Sequence, residues 1–464
     1  MKQKILSVIL FSCMLCVPAW AGGLMTNTNY HIAFDRMMAR GATFDIDAIY
    51  SNPAGLAWGH EGWQLSFDVQ KPFQYRNVEA SLAQPYAAAV GFAQHKFKGK
   101  ASADPFVPAL FASYKHDWWA LGLMGGIVGS GGKVTYKEGI PMFVVPVGGM
   151  MSAVATGINA QLPAGYPAVP SDFYDLDAYM QGKQYIYGIQ ANYSCRLGDH
   201  WAAAVGVKAN IYSGFNRGHV TASTANPVVQ NAMGSGELLG LVLDVDQKGV
   251  GMAPLLSVDY RLGRLVLTGR YEFRARLNIP NETKTLQIAA APALQPQMAS
   301  VAPMAAPYQD GVKTRYDMPG LLSLAAGYEF VPERFRGTLE YHWFDDKNAK
   351  MQGNRQDALT HGTQELLVGL EYDINKRFTV SCGAQRTDYG LDEQYQSNTS
   401  FACDSYSVGL GGAVNITDHL RVNLGYFCSI YSDYKRQTNY MDIPVGEVYS
   451  RTNHVFGLGV DYKF

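Results

Sequence analysis

The chain has 464 residues, with 17% charged residues, 12% aromatic residues and a formal net charge of −1. Charged residues are scarcer than the ~25% of soluble domains, while a mean hydropathy of −0.10 is too polar for a bundle of membrane helices. The near-zero charge gives no basic field for nucleic acid, so none is expected as a partner. Low charge with 29 Tyr and 48 Gly is typical of a transmembrane β-barrel.

The N-terminus predicts a secretory signal peptide over residues 1–21. Lysines start the chain, an apolar run too short to span a membrane covers 5–17, and 19–21 form an A-x-A cleavage site. A retained anchor is one alternative. A lipoprotein modified at Cys13 or Cys16 is another.

Residues 22–61 are too many for a simple lead-in to a first strand. They combine apolar residues such as Met37 and Phe44 with a turn at Asn52-Pro53. A mobile periplasmic tail would be polar, so we expect a compact plug over 22–61 and a barrel over 62–464.

From Trp63 onward the chain repeats segments in which apolar residues occupy every second position. Tight links such as 417–419 alternate with long links such as 131–183. Tight turns belong on the periplasmic side of a barrel and long loops outside. The sequence therefore predicts an all-β fold, a transmembrane antiparallel β-barrel of about fourteen strands.

Two of the long links are unusually apolar. The 131–183 link holds apolar residues at 140–146 and 150–151, and the 279–317 link holds an Ala/Pro/Met-rich run over 288–307. Exposed apolar stretches mark binding surfaces, and Met adapts to ligands of varied shape. A lid of loops packed on one another is the alternative. The capture candidates are Met142, Phe143, Val144, Met150 and Met151.

The strand at 264–278 carries charged residues at alternate positions, which we expect to face the lumen because charges facing lipid are costly. Arg270, Arg274 and Arg276 are the candidates for anchoring a substrate carboxylate. The alternative is a polar network that braces the wall.

Motifs for catalysis, metals and cofactors are not found. The sequence lacks G-x-S-x-G and H-E-x-x-H, so we expect no enzyme activity, no catalytic residues, no metal and no cofactor. Beyond the signal segment the cysteines lack CxxC spacing, and a disulfide cannot be assigned among Cys195, Cys382, Cys403 and Cys428.

The chain ends in a strand that finishes on an aromatic residue. Its apolar face resembles the assembly signal of bacterial outer-membrane barrels, which implies the barrel assembly machinery as a partner. That face consists of Phe456, Leu458, Val460, Tyr462 and Phe464.

These features together resemble the FadL/TodX family of outer-membrane transporters of long-chain fatty acids and aromatic hydrocarbons. The resemblance rests on the Asn52-Pro53-Ala54 motif, the strand count and the C-terminal Phe464. It implies that the 22–61 segment, with Asn52 to Gly55, is a hatch inside the barrel.

The resemblance also implies release of solute through a wall gap made by a kink in the third strand. Here that strand carries Gly125, Gly126 and Gly129, and glycine permits a bulge. Close packing of the hatch against these small residues is the alternative.

We therefore expect passive transport of hydrophobic compounds across the outer membrane of a Gram-negative bacterium. The steps are capture at the loops, hatch-gated passage and lateral release into outer-membrane lipid. A fatty acid or hydrocarbon is the expected partner. A receptor or adhesin barrel without transport is the alternative, and a barrel enzyme is a more distant one.

Overall fold

The computed structural model describes Met25 and residues 30–102, 106–298 and 305–464. The signal peptide expected over 1–21 lies outside the described residues. The strands are β1 (Gly62–Ser81), β2 (Gln94–Ser102), β3 (Val107–His116), β4 (Trp119–Tyr136), β5 (Asp175–Leu197), β6 (Trp201–Ser223), β7 (Glu237–Leu262), β8 (Leu265–Glu272), β9 (Asn278–Ala290), β10 (Lys313–Arg315), β11 (Leu321–Val331), β12 (Phe335–Phe344), β13 (Gln364–Asp373), β14 (Phe378–Asp388), β15 (Ser405–Asn415), β16 (Leu420–Tyr431), β17 (Tyr434–Tyr440) and β18 (Ile443–Lys463).

The helices lie in the N-terminal segment and in the outer loops. They are α1 (Ile32–Met37), α2 (Ala48–Ser51), α3 (Tyr86–Val90), α4 (Pro141–Asn159) and α5 (Pro227–Met233), with 3-10 segments at Pro53–Trp58, Pro292–Gln297, Ala306–Tyr308, Asp346–Asn348 and Gln352–Ala358.

The wall is a closed antiparallel barrel of 14 strands, which confirms the predicted fold class and strand number. β1 pairs with β18, from Gln64↔Lys463 to Ser81↔Gly446, and this seam closes the ring. The strands β2, β9, β10 and β17 are extra pieces that continue or flank wall strands on the outer side. Closure pairs the first wall strand with the last, so the ring has no terminal edge strand exposed to lipid.

The outward face of the wall is apolar, as the alternation predicts. On β18 and at the residue that follows it, the predicted assembly residues are 37–62% exposed: Phe456, Leu458, Val460, Tyr462 and Phe464. Between them lie residues of the inner face such as Gly457, Gly459 and Asp461. The phase of this strand places hydrocarbon-compatible side chains in lipid and small or polar ones in the lumen.

The outer loops differ from the prediction. Much of the length expected as loop continues as strand, because β5, β6 and β7 extend well beyond the lipid-facing belt. The 140–151 segment is not an exposed loop but the start of α4. By length and composition this helix is apolar enough to cross a membrane, with a mean hydropathy of 1.5 over 18 residues. However, 61% of that stretch is buried inside the protein. It packs on α3, α5, β6, β17 and β18.

A charge on the lipid face tests the depth assignment. Leu424 is 57% exposed and pairs with Leu458 near the middle of the belt. Leu424→Arg should lower the free energy of unfolding in lipid vesicles by about 2–4 kcal/mol. Urea titration with Leu424→Phe as the control measures it. Equal stability of the two variants would contradict the lipid-facing assignment.

Candidate functional site

The described N-terminal segment from Tyr30 to Trp58 fills the lumen, and nearly all of it is buried. Arg40 cross-links the loop in the middle of this segment through side-chain hydrogen bonds. The guanidinium donates from Nε to Asp47 Oδ2 at 2.7 Å and from Nη2 to Thr43 Oγ1 at 2.7 Å and Asp45 Oδ2 at 3.0 Å. Charge-assisted bonds of this kind are strong when desolvated, so this loop is a compact plug.

The Asn52 motif joins the plug to the wall. Asn52 Nδ2 donates to Thr43 O at 3.1 Å and to Asp259 Oδ2 on β7 at 3.0 Å. Ser194 on β5 donates to the Pro53 carbonyl at 2.6 Å. A Cβ on Gly55 would lie 2.6 Å from Thr43 O, so glycine is required for the Asn52 side chain to pack this closely.

Two side-chain amides of β5 bind the plug three residues before Asn52. Gln190 and Asn192 both donate to the Ile49 carbonyl, at 2.6 and 2.7 Å. On β7, Ser257 Oγ accepts from the Ala54 N–H at 3.3 Å. The plug is therefore fixed to the wall by buried hydrogen bonds rather than by covalent links.

Helix α1 is docked at the seam where the barrel closes. His31 caps the helix, and its Nδ1 accepts the Ala33 N–H at 3.1 Å. The ring proton therefore sits on Nε2, which donates to Asp461 Oδ1 on β18 at 3.1 Å. Asp68 on β1 accepts the Ile32 N–H at 3.0 Å.

The same three side chains, His31, Asp68 and Asp461, are buried with their ligating atoms within 4.8 Å of one another, as in a metal site. The hydrogen bonds argue for an anchor instead, because the Nε2 lone pair that a metal needs carries the proton. Ser66 Oγ also reaches both carboxylates, at 2.7 and 2.8 Å.

Small residues on the strands beside the seam let α1 pack closely against the wall. A Cβ on Gly409 would lie 2.5 Å from the Asp35 carbonyl. Arg36 adds an ion pair with Glu371 and donates to Ser381 Oγ at 2.7 Å. These partners were not predicted from the sequence, although the glycines and the acid alternate on the inner faces of β13 to β16.

Above the plug lies a continuous apolar region that we call the lumen cluster. It is made of buried residues from the plug and the wall, including Ile49, Tyr50, Val107, Phe111, Met124, Ile127, Val128, Ile186, Leu277, Ile279, Met318, Leu321 and Phe344. Two cavities, both bordered by Met25 and Phe344, adjoin it. The interior above the plug is therefore largely apolar, with two small cavities beside it.

The ladder between β3 and β4 is interrupted beside this cluster. Pairing stops at Ala109↔Gly126 and resumes, through β2, at Ser102↔Lys133. No backbone hydrogen bond joins the described residues 106–108 to 127–132. Register shifts against β5 fall between Ile127 and Gly129 and again before Gly132.

The predicted kink glycines flank this break. Gly125 and Gly126 are the last paired positions, and Gly129 lies between the two bulges. The bulge also turns Ile127 and Val128 to the inside together, at 7% and 0% exposure. The break thus opens onto the lumen cluster.

Other interruptions of the wall are bridged by backbone bonds. Between β8 and β9, Phe273 N–H donates to Pro254 O at 2.9 Å, and Ala275 exchanges bonds with Met318. Between β16 and β17, Ser432 N–H donates to Asp404 O at 2.9 Å. The β3–β4 break differs from these two.

The three candidate anchor arginines do not cluster. Arg270 is buried, lies 5.1 Å from the centre of the Tyr50 ring and pairs with Glu272 at 2.5 Å. Arg276 is exposed, and Arg274 donates to the Asn348 carbonyl. The predicted inward orientation is wrong for Arg274 and Arg276. β8 ends at Glu272, and the alternation of inward and outward side chains restarts in a different phase before β9.

The capture candidates lie on α4. Met142, Val144 and Met151 are buried among the outer loops, while Phe143 and Met150 are partly exposed. Asn398 accepts the Met142 N–H at 2.7 Å and holds the start of the helix. The structure thus places these residues in a lid, of which two apolar side chains remain accessible.

The four cysteines among the described residues are free. Cys403 lies in an outer loop, where burial raises the pKa of its thiol to about 11. This disfavours the reactive thiolate at neutral pH.

Comparisons with known proteins agree with this architecture. The family model described as "Outer membrane protein beta-barrel domain" matches residues 287–464. A FadL homologue of Pseudomonas aeruginosa has a TM-score of 0.65 and 16% identity, with 96% of this chain and 100% of the other covered. The toluene transporter TodX of Pseudomonas putida has a TM-score of 0.54 and 14% identity, with 97% and 99% covered. No curated protein matches the sequence significantly.

At these identities the solved structures establish a common fold. The resemblance to FadL/TodX proteins is confirmed at that level. The chain is an outer-membrane β-barrel, as predicted.

Removal of the Asn52 amide should loosen the plug. Asn52→Ala deletes the bonds to Thr43 and Asp259, and leaves a buried carboxylate without its donor. We expect a loss of about 1–3 kcal/mol and faster hydrogen exchange across residues 42–58, measured by mass spectrometry. Asn439→Ala, at an exposed outer position, is the control. Unchanged exchange in Asn52→Ala would show that the motif does not anchor the plug.

Proposed function

We propose that this barrel carries hydrophobic compounds passively through the outer membrane and releases them sideways into its lipid. The observation that carries the proposal is the β3–β4 break, which opens onto the lumen cluster. Unpaired backbone at membrane depth is costly unless it lines a cavity. A route from lumen to lipid would explain why the described residues 106–108 and 127–132 are not paired with each other.

The relatives support a transport role rather than catalysis. The similar structures are named as a FadL homologue and a toluene transporter. Passage of an apolar solute needs no cofactor, because burial of each methylene contributes roughly 0.8 kcal/mol. The solute moves from one apolar environment, the lumen, to another, the bilayer.

The plug supplies the gate in this proposal. It lies below the lumen cluster, and Ile49 and Tyr50 form part of that cluster. Their neighbours are held by the amides of Gln190, Asn192 and Asn52. Movement of this short segment would widen the route beside the break without unfolding the wall.

Capture would begin at the lid. Phe143 and Met150 are the members of the predicted capture set that remain partly exposed on α4. A solute that binds there would displace few buried side chains. The remaining three residues hold the lid in place.

Arg270 is the anchor candidate that we propose for a substrate carboxylate. Arg270 and Lys208 share the single acid Glu272, which leaves one positive charge in excess within this buried group. Among the described residues, Arg270 Nε has no hydrogen-bond partner, and its side chain borders a cavity that Glu340, His342 and Glu365 also line. Fatty acids would therefore be held more firmly than hydrocarbons.

Straightening β4, the third strand of the wall, should close the release route. We delete Val128 and Gly131, the bulged positions of β4, which lets the strand pair regularly and keeps its phase. Uptake of labelled oleate and toluene by a transporter-deleted Gram-negative host should fall at least tenfold.

The control removes two residues, Pro163 and Ala164, from an exposed outer loop. Both variants must show normal heat-modifiable mobility on gels, the sign of a folded barrel. Full uptake by a folded strand-deletion variant would rule out release at this break.

Neutralising Arg270 should lower the uptake of fatty acids and leave the uptake of hydrocarbons nearly unchanged. Arg270→Gln removes the excess positive charge, so oleate uptake should fall about tenfold while toluene uptake stays within twofold. Arg276→Gln is the matched control because that side chain is exposed. Equal loss of both solutes would indicate a structural role for Arg270.

A further inference from the structure

A row of lysines lies on the outside of the barrel at its outer end. Lys96, Lys98 and Lys100 occupy alternate positions of β2 and are exposed, while Phe97 and Gly99 between them are buried. The strand alternation therefore directs all three charges away from the lumen. They face solvent or membrane headgroups.

Two more lysines extend the row across neighbouring strands. Lys133 on β4 and Lys183 on β5 are directly opposite in the register. Lys183 Nζ lies 5.8 and 5.5 Å from the ring centres of Tyr185 and Phe215. Like charges placed opposite each other destabilise a sheet, so this arrangement favours a bound anion.

The protein supplies little counter-charge here. No carboxylate of the described residues lies within 4.0 Å of the lysine patch, defined as Lys96, Lys98, Lys100, Lys133 and Lys183. Glu79, which pairs across from Lys96, accepts instead from Gln94.

Two cations in a neighbouring sector of the outer wall are neutralised by carboxylates. Arg217 pairs with Asp244 at 2.8 Å and with Asp246 at 3.0 Å. Lys284 pairs with Asp246 at 2.5 Å. The lysine patch is therefore unlike the neighbouring sector of the same wall.

The patch lies at the level of the outer headgroups. Lys100 is paired with Tyr75 of β1, and Tyr75 and Trp63 are both about half exposed at opposite ends of the lipid-facing belt. About twelve residues separate them, which is roughly 30 Å along the axis for a strand tilted by about 40°. This distance spans the apolar band, so Lys98 and Lys96 stand just beyond it.

We propose that the lysine patch binds the phosphate groups of a phosphorylated glycolipid of the outer leaflet, the lipid A portion of lipopolysaccharide. Lysine ammonium groups bind phosphate as point charges, and basic residues beside a membrane attract anionic headgroups. The neighbouring Tyr75 and Tyr185 rings fit the boundary between acyl chains and headgroups. This binding is separate from transport, although β2 and β4 also border the wall break.

The test uses the full-length barrel purified in a neutral detergent. Binding of bisphosphorylated lipid A is measured by native mass spectrometry for the wild type and for the triple variant K96Q/K98Q/K100Q. Each lysine near an anionic surface contributes roughly fivefold, so the triple variant should bind on the order of 100-fold more weakly. Dephosphorylated lipid A should bind the wild type about as weakly as bisphosphorylated lipid A binds the triple variant.

The control variant K248Q/K313Q/K435Q removes the same charge from exposed lysines on β7, β10 and β17, and it should bind as the wild type does. Wild-type affinity in the patch variant, an equal loss in the control, or equal binding of dephosphorylated lipid would each overturn the proposal. Full displacement by equimolar inorganic phosphate would overturn the lipid as the occupant. Both variants are checked for folding by heat-modifiable mobility.

Discussion

Backbone groups in hydrocarbon must find partners within the protein, and this constraint shapes the whole molecule. It requires a closed ring, which the β1–β18 seam provides. It also explains why wall interruptions at β8–β9 and β16–β17 are bridged by backbone bonds. The β3–β4 break lacks such bonds among the described residues, and it is the place where the lumen cluster reaches the wall through Val107, Ile127 and Val128. A departure from the pairing rule therefore coincides with an apolar interior.

The lumen is divided between polar anchoring and apolar passage. Hydrogen bonds from Asn52, Gln190 and Asn192 fix the plug on one side, and His31 fixes α1 at the seam on the other. These bonds are strong in a dry interior but exchangeable. A plug held in this way can seal the barrel against water and still shift locally, which suits a gate better than a permanent part of the wall.

Strand number, orientation and outward phase were predictable from sequence because alternation of period 2 is imposed by lipid on every strand. The compact form of the segment before the barrel was predictable as well, since it combines apolar residues with a turn at Asn52-Pro53. Three features were not. The inward phase assigned to Arg274 and Arg276 failed because an interruption after Glu272 resets the alternation. The helix formed by the apolar 140–151 segment was not predicted, because a short apolar run in the sequence does not distinguish a helix from the core of a loop. The anchors of α1 depend on contacts between residues hundreds of positions apart, such as His31 and Asp461.

The central claim is that solute passes through the lumen cluster and leaves at the β3–β4 break, and photo-crosslinking tests it most directly. A photoreactive phenylalanine analogue is placed at Val107, at Val128 or at the lipid-facing Leu324 on the far side of the barrel, and cells are illuminated during uptake of labelled oleate and of a labelled toluene analogue. Strong labelling at Val107 and Val128, with only background at Leu324, is the predicted result. Labelling at Leu324 equal to that at the break, or none at Val107 and Val128 during measurable uptake, would contradict the account.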